Sequence, residues 1–151
     1  MTSILPPLNP HRLKGDSSGT IRILVVDDEP AVLFAYRKLI EKEGMAVDIS
    51  ANLEDAILQI RSRCYLAVIA DMRLAGSDNT DGLEILRLIQ LECPDTKSIL
   101  ATGYGDSEIE KTARALGASY CFNKPVQPSE LLKALRGFYS GSVFPPAALP
   151  A

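Results

Sequence analysis

Short apolar runs of strand length alternate with segments whose apolar residues recur at helical spacing, and that alternation leaves few folds open. The runs are Ile21 to Val26, Met45 to Ser50, Tyr65 to Asp71, Lys97 to Ala101 and Ser119 to Phe122. Between the first two, Pro30 suits the first turn of a helix, where a missing N–H costs nothing. Val32, Leu33, Tyr36, Leu39 and Ile40 form one stripe of that helix, and Gly44 stops it. Asn52 can cap a helix with Leu53, Ala56, Ile57 and Ile60 on one face. Asp81 with Glu84, and Ser107 with Glu110, read as capping boxes. The helix after Asp81 runs to about Glu92 before Pro94, and the one after Ser107 carries Ile109, Ala113 and Leu116 and ends at Gly117. Pro128 and Glu130 open a last helix with Leu131, Leu132, Leu135 and Phe138. Strands taking turns with helices imply a parallel sheet covered on both faces, with right-handed crossovers. The expected fold is therefore α/β, a doubly wound five-stranded sheet with five helices.

A chain of 151 residues suggests one domain, with enough core to need no staples. Residues 1–19, rich in proline, glycine and small polar residues, read as a disordered arm, and 140–151 as a loose tail, leaving 20–139 for the domain. A net charge of -3 argues against nucleic acid as the main ligand. No apolar run approaches membrane-span length and no signal peptide is visible, so a cytoplasmic protein is expected. Cys64, Cys93 and Cys121 lie far apart in sequence without metal-ligand spacing and read as reduced thiols. His11, the only histidine, falls in the arm, so the domain carries no histidine for catalysis.

In a parallel sheet every strand ends at the same side, which is where open α/β sheets place ligands. The first strand delivers Asp27 and Asp28 to that edge, the third Asp71, the fourth Thr102 and the fifth Lys124. Each has an ordinary alternative as a turn aspartate, a cap-like threonine or a solvated lysine. Three carboxylates close together repel one another unless a cation compensates. Oxygen ligands favour Mg²⁺ over zinc. One carboxylate beside such a cation can attack phosphorus and form an aspartyl phosphate. Lys124 and the Thr102 hydroxyl could stabilise the phosphoryl oxygens.

The stretches Ile-Leu-Val-Val-Asp27-Asp28-Glu-Pro, Val-Ile-Ala-Asp71-Met-Arg-Leu, Asp81-Gly-Leu-Glu-Ile-Leu, Ala-Thr102-Gly-Tyr and Gly117-Ala-Ser-Tyr-Cys-Phe-Asn-Lys124-Pro125 resemble the receiver domain of two-component response regulators. The resemblance spans about residues 20 to 140. It implies the CheY-like sheet order 2-1-3-4-5, which is that family's own. It implies that Asp71 accepts a phosphoryl group from a histidine of a partner sensor kinase or phosphotransfer protein. Asp28, Asp71 and the backbone carbonyl of Arg73 would bind Mg²⁺ directly, and Asp27 through water. Lys124 would bind the phosphoryl oxygens across a cis Lys124–Pro125 bond, and Thr102 would carry the change to the last strand. A downstream protein target and possible homodimerisation through the signalling helices also follow from the resemblance.

Three departures from the family pattern stand out. The aromatic residue usual three places before the lysine is Cys121, flanked by Tyr120 and Phe122. The usual proline after Asp-Met-Arg-Leu is Ala75, in a loop longer than usual before Gly82. Arg73 and Tyr104 occupy positions that tune phosphoryl lifetime in the family. Tyr104 has two readings: a screen against attacking water, or a plain surface aromatic. The result expected is a phosphorylation-controlled switch, free-standing or part of a hybrid kinase or multidomain regulator. Two rivals come from other classes. A haloacid-dehalogenase-like phosphohydrolase would want Asp-x-Asp after the first strand, where this chain has Asp27-Asp28-Glu29. The other is an inert interaction module or a flavin-binding domain; flavin lacks its phosphate loop here.

Overall fold

Residues 20–74, 80–103 and 107–139 are described by a computed structural model. The elements, in chain order, are β1 (Arg22–Val26), α1 (Pro30–Glu41), β2 (Ala46–Ser50), α2 (Leu53–Ser62), β3 (Ala67–Asp71), α3 (Asp81–Glu92), β4 (Lys97–Thr102), α4 (Ser107–Ala115), β5 (Tyr120–Asn123) and α5 (Pro128–Tyr139). The strands form one parallel sheet in the order β2-β1-β3-β4-β5. The arm, the tail, Ala75 with its loop, Tyr104 and His11 lie outside the described residues.

The strand sequences explain where the core sits. Every residue of β3 is buried, as a continuous apolar run between two helical layers requires. In β1 the side chains alternate between the two layers. Ile23 and Val25 pack with Leu33 and Ile40 of α1 and Leu131 and Leu135 of α5. Leu24 and Val26 pack with Ala56 and Ile60 of α2 and Ile85 and Ile89 of α3. A third cluster joins Met72 and Leu100 to Leu86 of α3 and Ala113 of α4.

Several helix signals work as their chemistry predicts. The Asn52 side chain accepts from the Asp55 backbone N–H at 2.8 Å. Gly44 and Gly117 end their helices at φ +92° and +96°, a region that side chains with a Cβ rarely adopt. The two expected capping boxes do not form as such. Thr80 occupies the N-cap of α3 without a side-chain cap bond, and Asp81 is the first helical residue. Ser107 likewise begins α4 instead of preceding it. In both places the pattern is shifted by one residue, so the acids serve the helix dipole in the first turn instead. Among the described residues no helix is long and apolar enough to cross a membrane.

Candidate functional site

The carboxyl edge of the sheet is built from strand ends whose backbone bonds fix the side chains. Asp27 extends β1 by one residue, its N–H donating to the Ser50 carbonyl at 3.0 Å. Its own Oδ1 accepts from the Glu29 N–H at 2.9 Å, an Asx turn that hands the chain to Pro30 and α1. Asp28, between them, is exposed. Asp71 ends β3 opposite Ala101 of β4. The next N–H, of Met72, donates to the Ala101 carbonyl at 2.8 Å. Thr102 ends β4 and is 3% exposed. The Lys124 N–H donates to the Thr102 carbonyl at 2.8 Å, continuing the β4–β5 ladder, and the Lys124–Pro125 bond is cis.

These ends converge. Asp27, Asp28 and Asp71 each offer a carboxylate oxygen within 4.8 Å of the other two. The Lys124 Nζ lies 3.2 Å from Asp27 Oδ2 and 3.3 Å from Asp71 Oδ1. Asp71, Met72, Arg73, Thr102, Gly103 and Lys124 line an open depression of about 300 Å³. All the residues singled out from the sequence, Asp27, Asp28, Asp71, Arg73, Thr102 and Lys124, thus stand at one edge.

One ammonium faces more than one carboxylate, and the electrostatics reflect that imbalance. Burial raises the Asp71 carboxyl above its ordinary value, and the Asp27 charge adds to the rise. Lys124 and the Arg73 backbone oppose it without cancelling it. Burial alone would lower Lys124, but the charges of Asp27 and Asp71 outweigh it and hold the ammonium above its usual range. A site of hard oxygen donors with an excess of negative charge suits Mg²⁺, which prefers carboxylates and water to nitrogen or sulfur.

Two residues escaped the sequence reading. Gly82, near the start of α3, has no room for a side chain: a Cβ there would come within 2.6 Å of the Asp71 carbonyl oxygen and 2.7 Å of Met72 Cα. Its N–H donates to the Met72 carbonyl at 3.0 Å, so α3 begins pressed against the strand that carries Asp71. A glycine inside a first helical turn was the available signal. Tyr36 was read only as part of the α1 stripe. Its hydroxyl is pushed up to about 12, by burial first and then by the charge of Asp27, with a smaller rise from Asp71. Lys124 works the other way, so this tyrosine lies within the field of the site.

At the position where the family pattern has an aromatic residue, Cys121 packs on the α4 side with Leu100, Ala113, Ile109 and Leu116. Tyr120 and Phe122 face the opposite layer, toward α1 and α5.

A family model of the response regulator receiver domain matches residues 23–136. The chain belongs to that family, the receiver domains of two-component signal transduction, which act as phosphorylation-controlled switches. Over 132 residues it is 32% identical to the acid tolerance regulatory protein ActR of Rhizobium meliloti (strain 1021), covering 87% of this chain and 66% of that protein. It is 31% identical to the nitrogen assimilation regulatory protein NtrX of Azorhizobium caulinodans, covering 73% of this chain but 24% of that one. The chain therefore spans two thirds or less of these relatives. Among solved structures it is similar to a CheY-like receiver domain protein from Methanospirillum hungatei JF-1. That likeness has a TM-score of 0.74 and 29% identity, over 80% of this chain and 94% of the other.

Proposed function

We propose that this domain accepts a phosphoryl group on Asp71 from a phosphohistidine of a sensor kinase or phosphotransfer protein, and that the acylphosphate switches a protein-docking surface. The observation that carries the reading is the Lys124 ammonium held 3.3 Å from Asp71 and 3.2 Å from Asp27, beside three clustered carboxylates. An Asp71 oxygen attacks phosphorus, an O–P bond forms and the donor's N–P bond breaks. The departing imidazole nitrogen keeps the electron pair and takes a proton. Lys124 then faces the phosphoryl oxygens, and the buried Thr102 hydroxyl stands at the neighbouring strand end to donate to one of them. Asp27, Asp28, Asp71 and the Arg73 carbonyl would hold Mg²⁺, which supplies neutralising charge for the transfer.

Asp71 holds the phosphoryl group until slow hydrolysis of the acylphosphate returns the free carboxylate and inorganic phosphate, so the domain acts as a switch and not as a turnover enzyme. Its output surface comprises α4 and β5, which lie between Thr102 and Lys124 in the chain, and α5, which follows Lys124. Those helices also serve a possible homodimer. With a net charge of -3, the output of this domain is docking on protein and not direct contact with nucleic acid, in the cytoplasm.

Intact mass after incubation with acetyl phosphate and Mg²⁺ tests the reading. One phosphoryl adduct is expected, lost without Mg²⁺ and absent in Asp71→Asn. An adduct that survives Asp71→Asn would move the nucleophile elsewhere.

A further inference from the structure

One edge of the sheet is β2, which reads Ala-Val-Asp-Ile-Ser and pairs among the described strands with β1 alone. The Ala46 N–H donates to the Ile21 carbonyl at 2.8 Å, and the Ser50 carbonyl accepts from the Asp27 N–H at 3.0 Å. The backbone groups of successive strand residues point alternately to the two sides. Ala46, Asp48 and Ser50 therefore face β1, and Val47 and Ile49 turn theirs outward. Outward groups on an edge strand are a template on which a further strand can pair. The helices on either side add apolar surface: Phe34 of α1 is 62% exposed and Leu58 of α2 is 67% exposed.

Both outward carbonyls are already taken, one from each helical layer. Arg37 of α1 donates from Nη2 to the Val47 carbonyl at 3.3 Å. Gln59 of α2 donates from Nε2 to the Ile49 carbonyl at 2.9 Å. Each cap is itself held in place. The Arg37 guanidinium lies 3.5 Å from the Glu41 carboxylate one turn further along α1. The Gln59 amide also donates to Asp55 Oδ2 at 2.9 Å, and its oxygen accepts from the Tyr65 hydroxyl at 3.4 Å. An incoming strand must displace both side chains before its own N–H groups can reach the two carbonyls.

We infer that Arg37 and Gln59 guard the β2 edge: the two caps keep a second copy of this chain from laying its own β2 alongside. The excluded partner is the chain itself because two such edges are self-complementary. About a two-fold axis, the outward N–H and carbonyl groups of Val47 and Ile49 in one copy find their complements in the other. Self-association of the domain is thereby confined to its other faces. The inference stands apart from the phosphoryl chemistry at Asp71.

The test follows the full chain, without any phosphoryl donor, by sedimentation velocity over a range of concentrations and by hydrogen exchange at the Val47 and Ile49 amides read by NMR. Removing both caps, in the double variant Arg37→Ala with Gln59→Ala, should lower the concentration at which dimer forms by about tenfold or more. In that variant the Val47 and Ile49 amides should exchange more slowly as dimer fills, whereas in the parent their exchange should not depend on concentration. Each single variant keeps one cap and should fall between the parent and the double variant. If the double variant does not fold, the single variants carry the same two readouts. Association unchanged from the parent would overturn the guard. Association that leaves exchange at the two amides untouched would overturn it as well, by placing the new contact elsewhere.

Discussion

The two ends of the sheet each hold a cluster of partly buried charge, and the two are balanced in opposite ways. Toward the amino end of the strands, one carboxylate has a surplus of donors. Asp48 accepts from the Tyr65 hydroxyl at 2.6 Å and from Arg22 at 2.9 Å, with Arg63 3.5 Å away. At the carboxyl end, one ammonium serves Asp27 and Asp71 while Asp28 stands close by. A carboxylate with its hydrogen bonds filled is a structural element, because its charge is compensated before anything binds. An under-compensated cluster weakens the empty fold and waits for a cation or an electrophile. The same residue type thus serves stability at one end and chemistry at the other, and the difference lies in how many donors surround it.

Removing a carboxylate charge at the two ends should therefore act with opposite signs. The largest effect is expected from Asp48→Ala, which removes the acceptor that Arg22 and the Tyr65 hydroxyl share and leaves Tyr65 the longer contact to Gln59 Oε1 at 3.4 Å. Urea unfolding should show a loss of about 3 kcal/mol, and a loss under ~1 kcal/mol would mean that the amino-end cluster is solvated and the contrast is false. Next, Mg²⁺ at roughly 100 times its dissociation constant should stabilise the protein by about 2.7 kcal/mol. The gain should disappear in Asp28→Asn but survive Asp48→Ala. Gly82→Ala should cost about 2 kcal/mol and weaken phosphoryl acceptance together, because the new methyl must push α3 away from the Asp71 backbone. The smallest effect has the opposite sign: without metal, Asp71→Asn should stabilise the fold by about 1 kcal/mol. The raised carboxyl of Asp71 fixes the pH dependence of that gain. Above its folded value the native state carries an unfavourable charge, so the gain is full there. As pH falls through the folded value the gain shrinks, and below the unfolded value, where the carboxyl is protonated in both states, it vanishes. Parallel denaturation curves for parent and variant across pH would check it.

The fold was legible because periodicity carries it. Five β-branched or apolar runs separated by helical stripes permit little else, and a β3 with no polar residue before Asp71 belongs in the middle of a covered sheet. The convergence of Asp27, Asp71, Thr102 and Lys124 was legible for a related reason: parallel strands end on one side, so residues at strand ends are neighbours without any knowledge of contacts. Capping was less legible. Asp81 and Glu84 have the spacing of a capping box, yet Thr80 takes the N-cap, since a one-residue shift in helix start depends on how the preceding loop leaves the sheet.

What the sequence determined by itself was therefore element type, sheet class and the set of side chains gathered at the carboxyl edge, because each follows from local pattern and chain direction. Only the tertiary structure decided distances and balance. It placed Lys124 between two aspartates 97 and 53 residues away in the chain. It pressed Gly82 against the Asp71 carbonyl and brought Tyr36 into the field of the site. It also turned Tyr120 and Phe122 toward α5 while Cys121 faced α4. Those outcomes depend on how helices seat on a twisted sheet, and packing between segments remote in sequence leaves no mark on the local pattern of either one.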